Sequence, residues 1–254
     1  MADDRPEAQR TCSVEYPEAD GKPMAESDEH ADALREAVET LRDHLAGEAV
    51  YVSGNNFVYF TEGVPGDVVS PDCYVVKGVP MRQRRTFKVW EEGGRRPCFV
   101  LELTSRWSRR QDSREKLSTY RDDLRVPEYF LFDLSRDWIQ AGLRGYRLDG
   151  AEYRELQPGP DGRLVSQQLG LELAVEGRRL RFYSPGSTRP LLAPRDRAEL
   201  ERGRAESERE RAERERDRAE RERDRAERER DRAERAAAEL ARLRDELERL
   251  RDGG

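Results

Sequence analysis

Two short apolar segments with a polar, helix-like segment between them occupy the middle of the chain, from Phe99 to Asp133. FVLELT and EYFLFD have the length and the nearly continuous apolar character of strands that are buried on both faces of a sheet. Between them, apolar residues recur at helical spacing. The sequence therefore predicts a strand at 99–104, a helix at 113–124 and a strand at 128–133.

One acidic residue, Glu102, interrupts the first apolar segment. An ionised carboxylate in a buried strand is costly in free energy unless a cation or several hydrogen-bond donors compensate for it. A second acid, Asp72, stands in a similar apolar setting in VVSPDCYVV, and Lys116 lies on the predicted helix. Two strand-borne acids and one lysine suit a metal-dependent phosphodiesterase, because the acids can bind Mg²⁺ and the lysine adds positive charge near the phosphorus.

Each of these three residues also has a purely structural explanation. A Pro-Asp pair such as Pro71-Asp72 is most often a turn, although the flanking valines predict a strand at about 67–76 that contains the acid. Glu102 cannot be explained by a turn, but a structural ion pair with an arginine would account for it. A lysine on a helix, such as Lys116, is usually solvated.

Charge is distributed unevenly along the chain. Residues 1–50 carry 5 basic and 14 acidic residues, whereas 51–194 carry 23 basic and 19 acidic ones. Within the latter range, Arg82–Arg125 holds 13 basic and 7 acidic residues. This basic region favours a phosphate-rich partner. A solvated surface with surplus arginine is an equally good explanation.

Several classes of site and location are disfavoured by the composition. Cys12, Cys73 and Cys98 have no metal-ligand spacing and are an odd number for a disulfide framework. The two histidines, His30 and His44, are too few for a histidine-rich zinc site. No apolar run approaches membrane-spanning length, and the acidic start MADDRPEAQR does not resemble a signal peptide, so we expect a cytoplasmic protein without a membrane partner.

The order of patterns along the chain predicts three regions. Residues 1–26 are polar, contain three prolines and lack periodicity, which predicts disorder. Residues 27–194 are predicted to form a globular domain that opens with a helix capped by Ser27. Residues 195–254 form a highly charged tail.

Within the globular region, turn residues mark further elements. Ser53-Gly54-Asn55-Asn56 suits a hairpin turn between strands at 49–52 and 57–60. Short alternating segments between Leu143 and Tyr183 predict additional strands or hairpins, because glycine and proline separate them.

The tail repeats the motif RAERERD, with an alanine every seven residues and opposite charges four residues apart. This pattern predicts a long helix over 196–250. Alanine and glutamate at the seam positions bury too little apolar area for strong coiled-coil pairing. The last two heptads have a leucine seam, which predicts weak homo-oligomerisation through Leu240, Leu243, Leu247 and Leu250.

The motifs SPD, WEEGG, FVLELTS, DSREKLSTY and VPEYFLFD, followed by LRGYRL and LGLEL, occur in this order between residues 49 and 190. Together they resemble the Uma-two family of restriction endonucleases, which belongs to the PD-(D/E)XK nuclease superfamily. The resemblance implies an α/β (α+β) fold with a restriction-endonuclease-like core, in which a mixed sheet is flanked by helices. The long charged helix or coiled coil at the C-terminus lies outside the resemblance.

Carried over to this sequence, the resemblance implies a catalytic site. Asp72 matches the aspartate of the PD motif and Glu102 the glutamate of the E-x-K motif, and both would bind Mg²⁺ or Mn²⁺. Because hard cations take oxygen ligands, the Leu103 carbonyl next to Glu102 is a further candidate ligand. Thr104 stands where the motif has lysine, and the catalytic lysine is displaced to Lys116 on the following helix. The candidates for contacts with the nucleic-acid backbone are Arg106, Arg109 and Arg110.

Three functions remain open at this point. The first is a metal-dependent endonuclease that hydrolyses phosphodiester bonds in DNA and uses its tail for assembly. The second keeps the fold but loses the activity, and acts as a DNA-binding or scaffold protein through its coiled-coil tail; Thr104 in place of the motif lysine supports it. In the third, the tail carries the function and the globular region only anchors it.

Overall fold

The computed structural model describes residues 14–18, 27–104 and 111–252, without the side chains of 111–114, 246 and 248–252. Within these ranges the elements run from helix α1 (Asp28–His44) to helix α3 (Pro194–Asp252). The strands before the second helix are β1 (Val50–Ser53), β2 (Val58–Tyr59), β3 (Val68–Val69), β4 (Cys73–Lys77), β5 (Phe87–Lys88) and β6 (Phe99–Thr104). Helix α2 (Gln111–Ser118) continues as a π-helical turn, Thr119–Asp123. The later strands are β7 (Glu128–Asp133), β8 (Leu143–Asp149), β9 (Glu152–Glu155), β10 (Leu164–Ser166), β11 (Leu171–Glu176) and β12 (Arg179–Tyr183).

A central mixed sheet has the strand order β1-β4-β6-β7-β8-β9. Strands β6 and β7 are parallel, and the other neighbouring pairs of this sheet are antiparallel. A parallel pair needs a crossover connection, and α2 lies in that connection. The sheet confirms the predicted fold class, and β6 and β7 have the predicted bounds.

The two faces of the central sheet bury separate apolar cores. On the face that carries Glu102, here called the site face, Tyr129 packs with Tyr120 of the π-helical turn and with residues of a small sheet of order β3-β2-β5. On the opposite face, Leu101 and Phe130 pack with residues of α1 and of the antiparallel sheet β10-β11-β12. Side chains alternate along each strand, so neighbouring residues of β6 belong to different cores.

Glu128, at the start of β7, ties the sheet β10-β11-β12 to the central sheet. Its side chain is 1% exposed and accepts hydrogen bonds from Arg147 Nη2 at 2.9 Å and from the Ser166 hydroxyl at 2.5 Å. The backbone N–H of Gln167 donates a third bond at 2.9 Å. A buried carboxylate with this many donors is fully compensated, and its role is structural.

The predicted hairpin around Ser53-Gly54-Asn55-Asn56 is wrong. Strand β1 pairs with β4, whereas β2 pairs with β3 and β5, so the two strands beside the turn belong to different sheets. The predicted strand at about 67–76 is also divided, into β3 and β4. The division falls at Ser70-Pro71-Asp72, where proline has no N–H to donate to a strand ladder. Asp72 therefore directly precedes β4 and does not lie inside a strand.

The short segment 14–18 packs on the small sheet β3-β2-β5. The ring of Tyr16 lies 5.0 Å from that of Tyr59 and 5.2 Å from that of Trp90, and its hydroxyl accepts a 2.6 Å hydrogen bond from the Gly63 N–H. These residues depart from the disorder predicted for the N-terminal region, whose other residues lie outside the described ranges. The aromatic contacts of Tyr16 supply the apolar burial that the composition of this region does not suggest.

Helix α3 confirms the predicted helix over 196–250, and residues from Arg195 onward form a separate unit. Opposite charges four residues apart form ion pairs along it, for example Arg218–Glu222 at 3.2 Å. The side chains of Leu240, Leu243 and Leu247 are more than half exposed. Among the described residues, no helix has the length and apolar character needed to cross a membrane.

The loop between β1 and β2 contacts the backbone of Asp72. A Cβ atom placed on Gly54 would lie 1.9 Å from the Asp72 carbonyl oxygen, so only glycine fits there. The next residue, Asn55, donates its N–H to the Pro71 carbonyl at 2.9 Å. The residues that suggested a hairpin turn thus hold the Pro71-Asp72 backbone in place.

We expect Gly54→Ala to lower the free energy of unfolding by about 1–3 kcal/mol, because the added methyl group forces the Asp72 backbone to move. Urea denaturation followed by circular dichroism measures this. Gly66→Ala is the matched control, since a Cβ at Gly66 meets no atom within 4 Å. Equal stability of the two variants would show that the close contact at Gly54 does not constrain the fold.

Candidate functional site

Pairing between β4 and β6 brings Asp72 next to Glu102. Cys73 lies opposite Leu101 in this antiparallel pair, so the register extended by one residue places Asp72 opposite Glu102. The N–H of Leu103 donates to Asp72 Oδ2 at 2.7 Å and fixes the orientation of that carboxylate. The two predicted acids therefore meet at one end of the β4–β6 pair.

Lys116 reaches the same place from helix α2. Its Nζ lies 2.8 Å from Glu102 Oε2 and donates a second hydrogen bond to the Ser70 carbonyl at 3.1 Å. Its side chain is 29% exposed and that of Glu102 only 7%. The lysine is therefore directed at the buried acid and extends partly into solvent. The structure brings Asp72, Glu102 and Lys116 together, as the sequence predicts.

Tyr120 is a further member of this cluster, which the sequence analysis did not identify as a site residue. Its buried hydroxyl donates to Glu102 Oε1 at 2.5 Å. The π-helical turn sets its direction, because the Leu124 N–H bonds to the Thr119 carbonyl five residues back. The available signal was the helical spacing of Leu117, Tyr120 and Leu124, which directs these side chains toward the sheet, since a buried phenol needs a hydrogen-bond partner.

Glu102 is held in an electrostatically unfavourable position. Burial and the nearby charge of Asp72 raise the pKa of Glu102 from 4.5 to about 7, while Lys116 and the Tyr120 hydroxyl oppose the rise. Burial and the adjacent Glu102 carboxylate raise the pKa of Tyr120 well above its ordinary value, so its hydroxyl remains a donor. The cluster carries two acids against one lysine, an imbalance that a cation would relieve.

His30 also lies beside this cluster. It stands in the first turn of α1, where its backbone N–H bonds to the Ser27 hydroxyl at 3.2 Å, and its side chain is largely buried. Its Nε2 is 3.9 Å from Asp72 Oδ2. Sequence reasoning missed this neighbour, since nothing in the local pattern around His30 shows which loop the helix will cover.

The remaining predicted residues do not add to the cluster. Thr104, at the position of the motif lysine, donates its hydroxyl to the Phe132 carbonyl at 3.4 Å. The proposed backbone contacts Arg106, Arg109 and Arg110 lie outside the described residues. In the ranges that the structure covers, no group of three or more His, Cys, Asp or Glu side chains is arranged to hold a metal ion.

The raised pKa of Glu102 predicts a pH-dependent stability for the metal-free protein. Between pH about 4.5 and about 7, folded Glu102 binds more protons than unfolded Glu102, so the free energy of unfolding falls as the pH rises through this window. Glu102→Gln stays neutral and lacks this contribution. Urea denaturation in EDTA at a series of pH values should show wild type losing stability relative to Glu102→Gln across the window.

Glu115→Gln is the matched control for this measurement, because Glu115 lies on α2 with an exposed side chain. Its stability curve should run parallel to that of wild type. Parallel curves for wild type and Glu102→Gln would contradict the raised pKa.

The chain is similar to a known protein family and to solved structures. Residues 4–180 match the family Uma2, described as "Putative restriction endonuclease". Among solved structures, the chain is similar to a putative nuclease belonging to DUF820 from Anabaena variabilis, with 17% identity and a TM-score of 0.43 over 62% of this chain and 83% of that one. No curated protein matches the chain. Because the family match spans well over half of the residues, the chain belongs to the Uma2 family of putative restriction endonucleases.

Proposed function

We propose that this protein is an endonuclease that hydrolyses phosphodiester bonds in DNA with the help of Mg²⁺ or Mn²⁺. Membership of the Uma2 family supports nuclease activity in general. The observation that carries the proposal is the convergence of Asp72, Glu102 and Lys116 at one end of β6, with Lys116 Nζ 2.8 Å from Glu102 Oε2. These are the three residues that the PD-(D/E)XK resemblance assigns to catalysis.

The donor groups of this cluster suit a hard divalent cation. Asp72 and Glu102 offer carboxylate oxygens, which Mg²⁺ and Mn²⁺ prefer, and the Leu103 carbonyl would add a third oxygen. Two carboxylates would leave room for the waters that Mg²⁺ usually retains. When bound, a divalent cation supplies a water of lowered pKa and neutralises charge on the phosphate. The raised pKa of Glu102 supports the fit, because it reflects uncompensated negative charge.

The protein groups around these acids have separate tasks. Lys116 places a positive charge beside the acids, where it would stabilise the extra charge of a pentacovalent phosphorus more than the ground state. The Tyr120 hydroxyl and the Leu103 N–H each hold one carboxylate in a fixed orientation. Preorganisation of this kind removes the need for side-chain rearrangement during the reaction.

DNA as the substrate is supported by the basic character of the middle of the chain. Arg82–Arg125 holds 13 basic and 7 acidic residues. Arg106, Arg109 and Arg110 follow β6 directly in the sequence, and we assign them to contacts with the phosphate backbone beside the scissile bond. Contacts of this type depend on salt, because each phosphate that is neutralised releases counterions.

A catalytically degenerate nuclease fold that acts as a DNA-binding or scaffold protein is the second candidate. Thr104 supports it, because a threonine cannot supply the charge of the motif lysine. The direct ion pair between Lys116 and Glu102 supports it as well, since such a pair also compensates a buried acid structurally. The two candidates differ in one measurable property, the cleavage of DNA.

Cleavage of supercoiled plasmid by the full chain, with Mg²⁺, with Mn²⁺ and in EDTA, tests the proposal. We expect nicking or linearisation only with a divalent cation. Asp72→Asn and Glu102→Gln should each lower kcat at least about 100-fold. Lys116→Ala should lower kcat more than it weakens DNA binding, because its charge acts mainly in the transition state.

Glu115→Gln and Lys77→Ala serve as controls, because both residues are exposed charged residues outside the cluster. If Glu102→Gln cleaves plasmid as fast as wild type, this cluster is not the catalytic site. DNA binding without cleavage under every metal condition would establish the degenerate candidate instead.

The C-terminal helix is proposed to mediate weak self-association. Leu240, Leu243 and Leu247 expose 58%, 52% and 60% of their surface, and they follow one another at three-four spacing. Together with Leu250 they make a seam two heptads long, which is short for a stable coiled coil. The charged repeats before it would act as a spacer between this contact and the nuclease domain.

Sedimentation velocity of the full chain and of a version ending at Arg235 tests this role of the tail. The full chain should show a concentration-dependent rise in sedimentation coefficient in the micromolar range, and the shortened version should remain monomeric. The physical reason is that the only apolar seam of the tail lies beyond Arg235. If both versions are monomeric throughout, the leucines do not pair the protein with itself.

A further inference from the structure

The site face of the central sheet continues beyond the acids toward β8. Glu102 lies opposite Leu131 in the parallel pair β6–β7, and Leu131 lies opposite Arg144 in the antiparallel pair β7–β8. Residues that are directly opposite in a sheet share a face, so the three side chains form one row. With strands about 4.8 Å apart, the backbone of Arg144 lies roughly 10 Å from that of Glu102. A nucleic-acid strand spans this distance within a few nucleotides.

The guanidinium of Arg144 is both oriented and accessible. Its Nε lies 3.1 Å from Glu155 Oε1, and its side chain is 42% exposed. A hydrogen bond with Tyr146 raises the pKa of Arg144 further above its ordinary value. A guanidinium that is held in this way keeps donors available for a phosphate, and its planar fork matches phosphate geometry.

Next to Arg144, a rigid loop presents an exposed tryptophan. The loop follows Asp133, the last residue of β7, which lies opposite Thr104 at the end of β6. The Asp133 carboxylate is 1% exposed and accepts the N–H groups of Trp138 at 2.8 Å and Ile139 at 3.0 Å on one oxygen. Its other oxygen accepts two more backbone N–H groups of the same loop. The backbone of Trp138 is therefore fixed, while 45% of the residue surface remains exposed.

Trp138 and Arg144 line the same groove, which has a volume of about 620 Å³. The rest of the lining combines polar side chains, among them Gln140 and Gln157, with apolar residues of the core on the opposite face of the sheet, among them Leu143 and Leu164. An aromatic ring, a guanidinium and side-chain amides together suit a nucleotide, which offers a flat base, a phosphate and polar base edges. Arg144 is the residue that this groove shares with the row from Glu102.

We propose that this groove is a subsite for an unpaired nucleotide of the nucleic-acid substrate, in which Trp138 stacks on the base and Arg144 binds the adjoining phosphate. The proposal rests on the nuclease function proposed above and adds the preferred form of the substrate. A base that is stacked inside a duplex cannot lie on a side-chain ring, so the subsite selects single-stranded or locally opened nucleic acid.

Binding of fluorescein-labelled oligonucleotides to the full chain in EDTA tests this subsite, with one sequence used as single strand and as duplex. Arg144→Ala and Trp138→Ala should each weaken single-strand binding about tenfold. Trp138→Phe should retain most of the affinity, because phenylalanine can still stack. Arg144→Ala should reduce the slope of log Kd against log salt by about 0.7, the value for one phosphate on a single strand, and Trp138→Ala should leave it unchanged.

Arg154→Ala is the matched control. Arg154 is also an exposed arginine paired with an acid, Asp149 at 2.8 Å, but it lies opposite Arg147 of β8 and is not among the residues that line the groove. The Kd of Arg154→Ala for the single strand should stay within twofold of the wild-type value. Melting temperatures equal to that of wild type would show that all these variants are folded.

Two results would overturn the subsite. One is a single-strand affinity of Arg144→Ala and of Trp138→Ala that equals the affinity of Arg154→Ala. If wild type still cleaves plasmid, this result leaves the nuclease function intact. The other is that Trp138→Ala loses as much affinity for duplex as for single strand. This result would show that Trp138 does not stack on an unpaired base. A wild-type chain that neither binds nor cleaves any nucleic acid would refute the nuclease function itself, and the subsite with it.

Discussion

The burial of one carboxylate, that of Glu102, sets the conditions that the surrounding structure must meet. An ion of this kind is costly inside a sheet unless donors surround it. The chain supplies them from outside the strand, with Lys116 from α2 and Tyr120 from the π-helical turn. The crossover from β6 to β7 therefore does more than connect parallel strands, because its helix must lie on the site face for the acid to be tolerated.

Comparison with the other buried acids of this fold clarifies what is special about Glu102. Asp133 and Glu128 both accept backbone N–H groups from a neighbouring loop. Although burial raises it, the pKa of Asp133 is lowered overall by these N–H groups and by Ser135. Burial and the charge of Asp72 raise the pKa of Glu102 to about 7, although Lys116 and the Tyr120 hydroxyl oppose the rise. Perturbation by burial together with a like charge is typical of functional sites, whereas full backbone satisfaction is typical of structural ones.

Two loops lie on either side of Glu102. The Gly54 loop fixes the Asp72 backbone on one side of β6, and the Asp133-anchored loop presents Trp138 beyond the end of β7 on the other. Hydrogen bonds that involve backbone N–H groups hold both loops. The strand register places Glu102 and Arg144 in one row, and helix α2 adds Lys116 beside Glu102.

The sequence alone determined the elements whose patterns are local: the apolar strands β6 and β7, the capped helix α1 and the charged helix α3. It also determined Asp72 and Glu102 as candidates, because a charge in an apolar segment is visible without a structure, and the family resemblance added Lys116 on the following helix. Only the tertiary structure decided that Ser53-Gly54-Asn55-Asn56 supports Asp72 and forms no hairpin, that Tyr120 donates to Glu102, and that His30 and Arg144 lie near the site. The physical reason is that periodicity reports which face of an element is buried, whereas strand pairing and loop packing depend on residues distant in the chain.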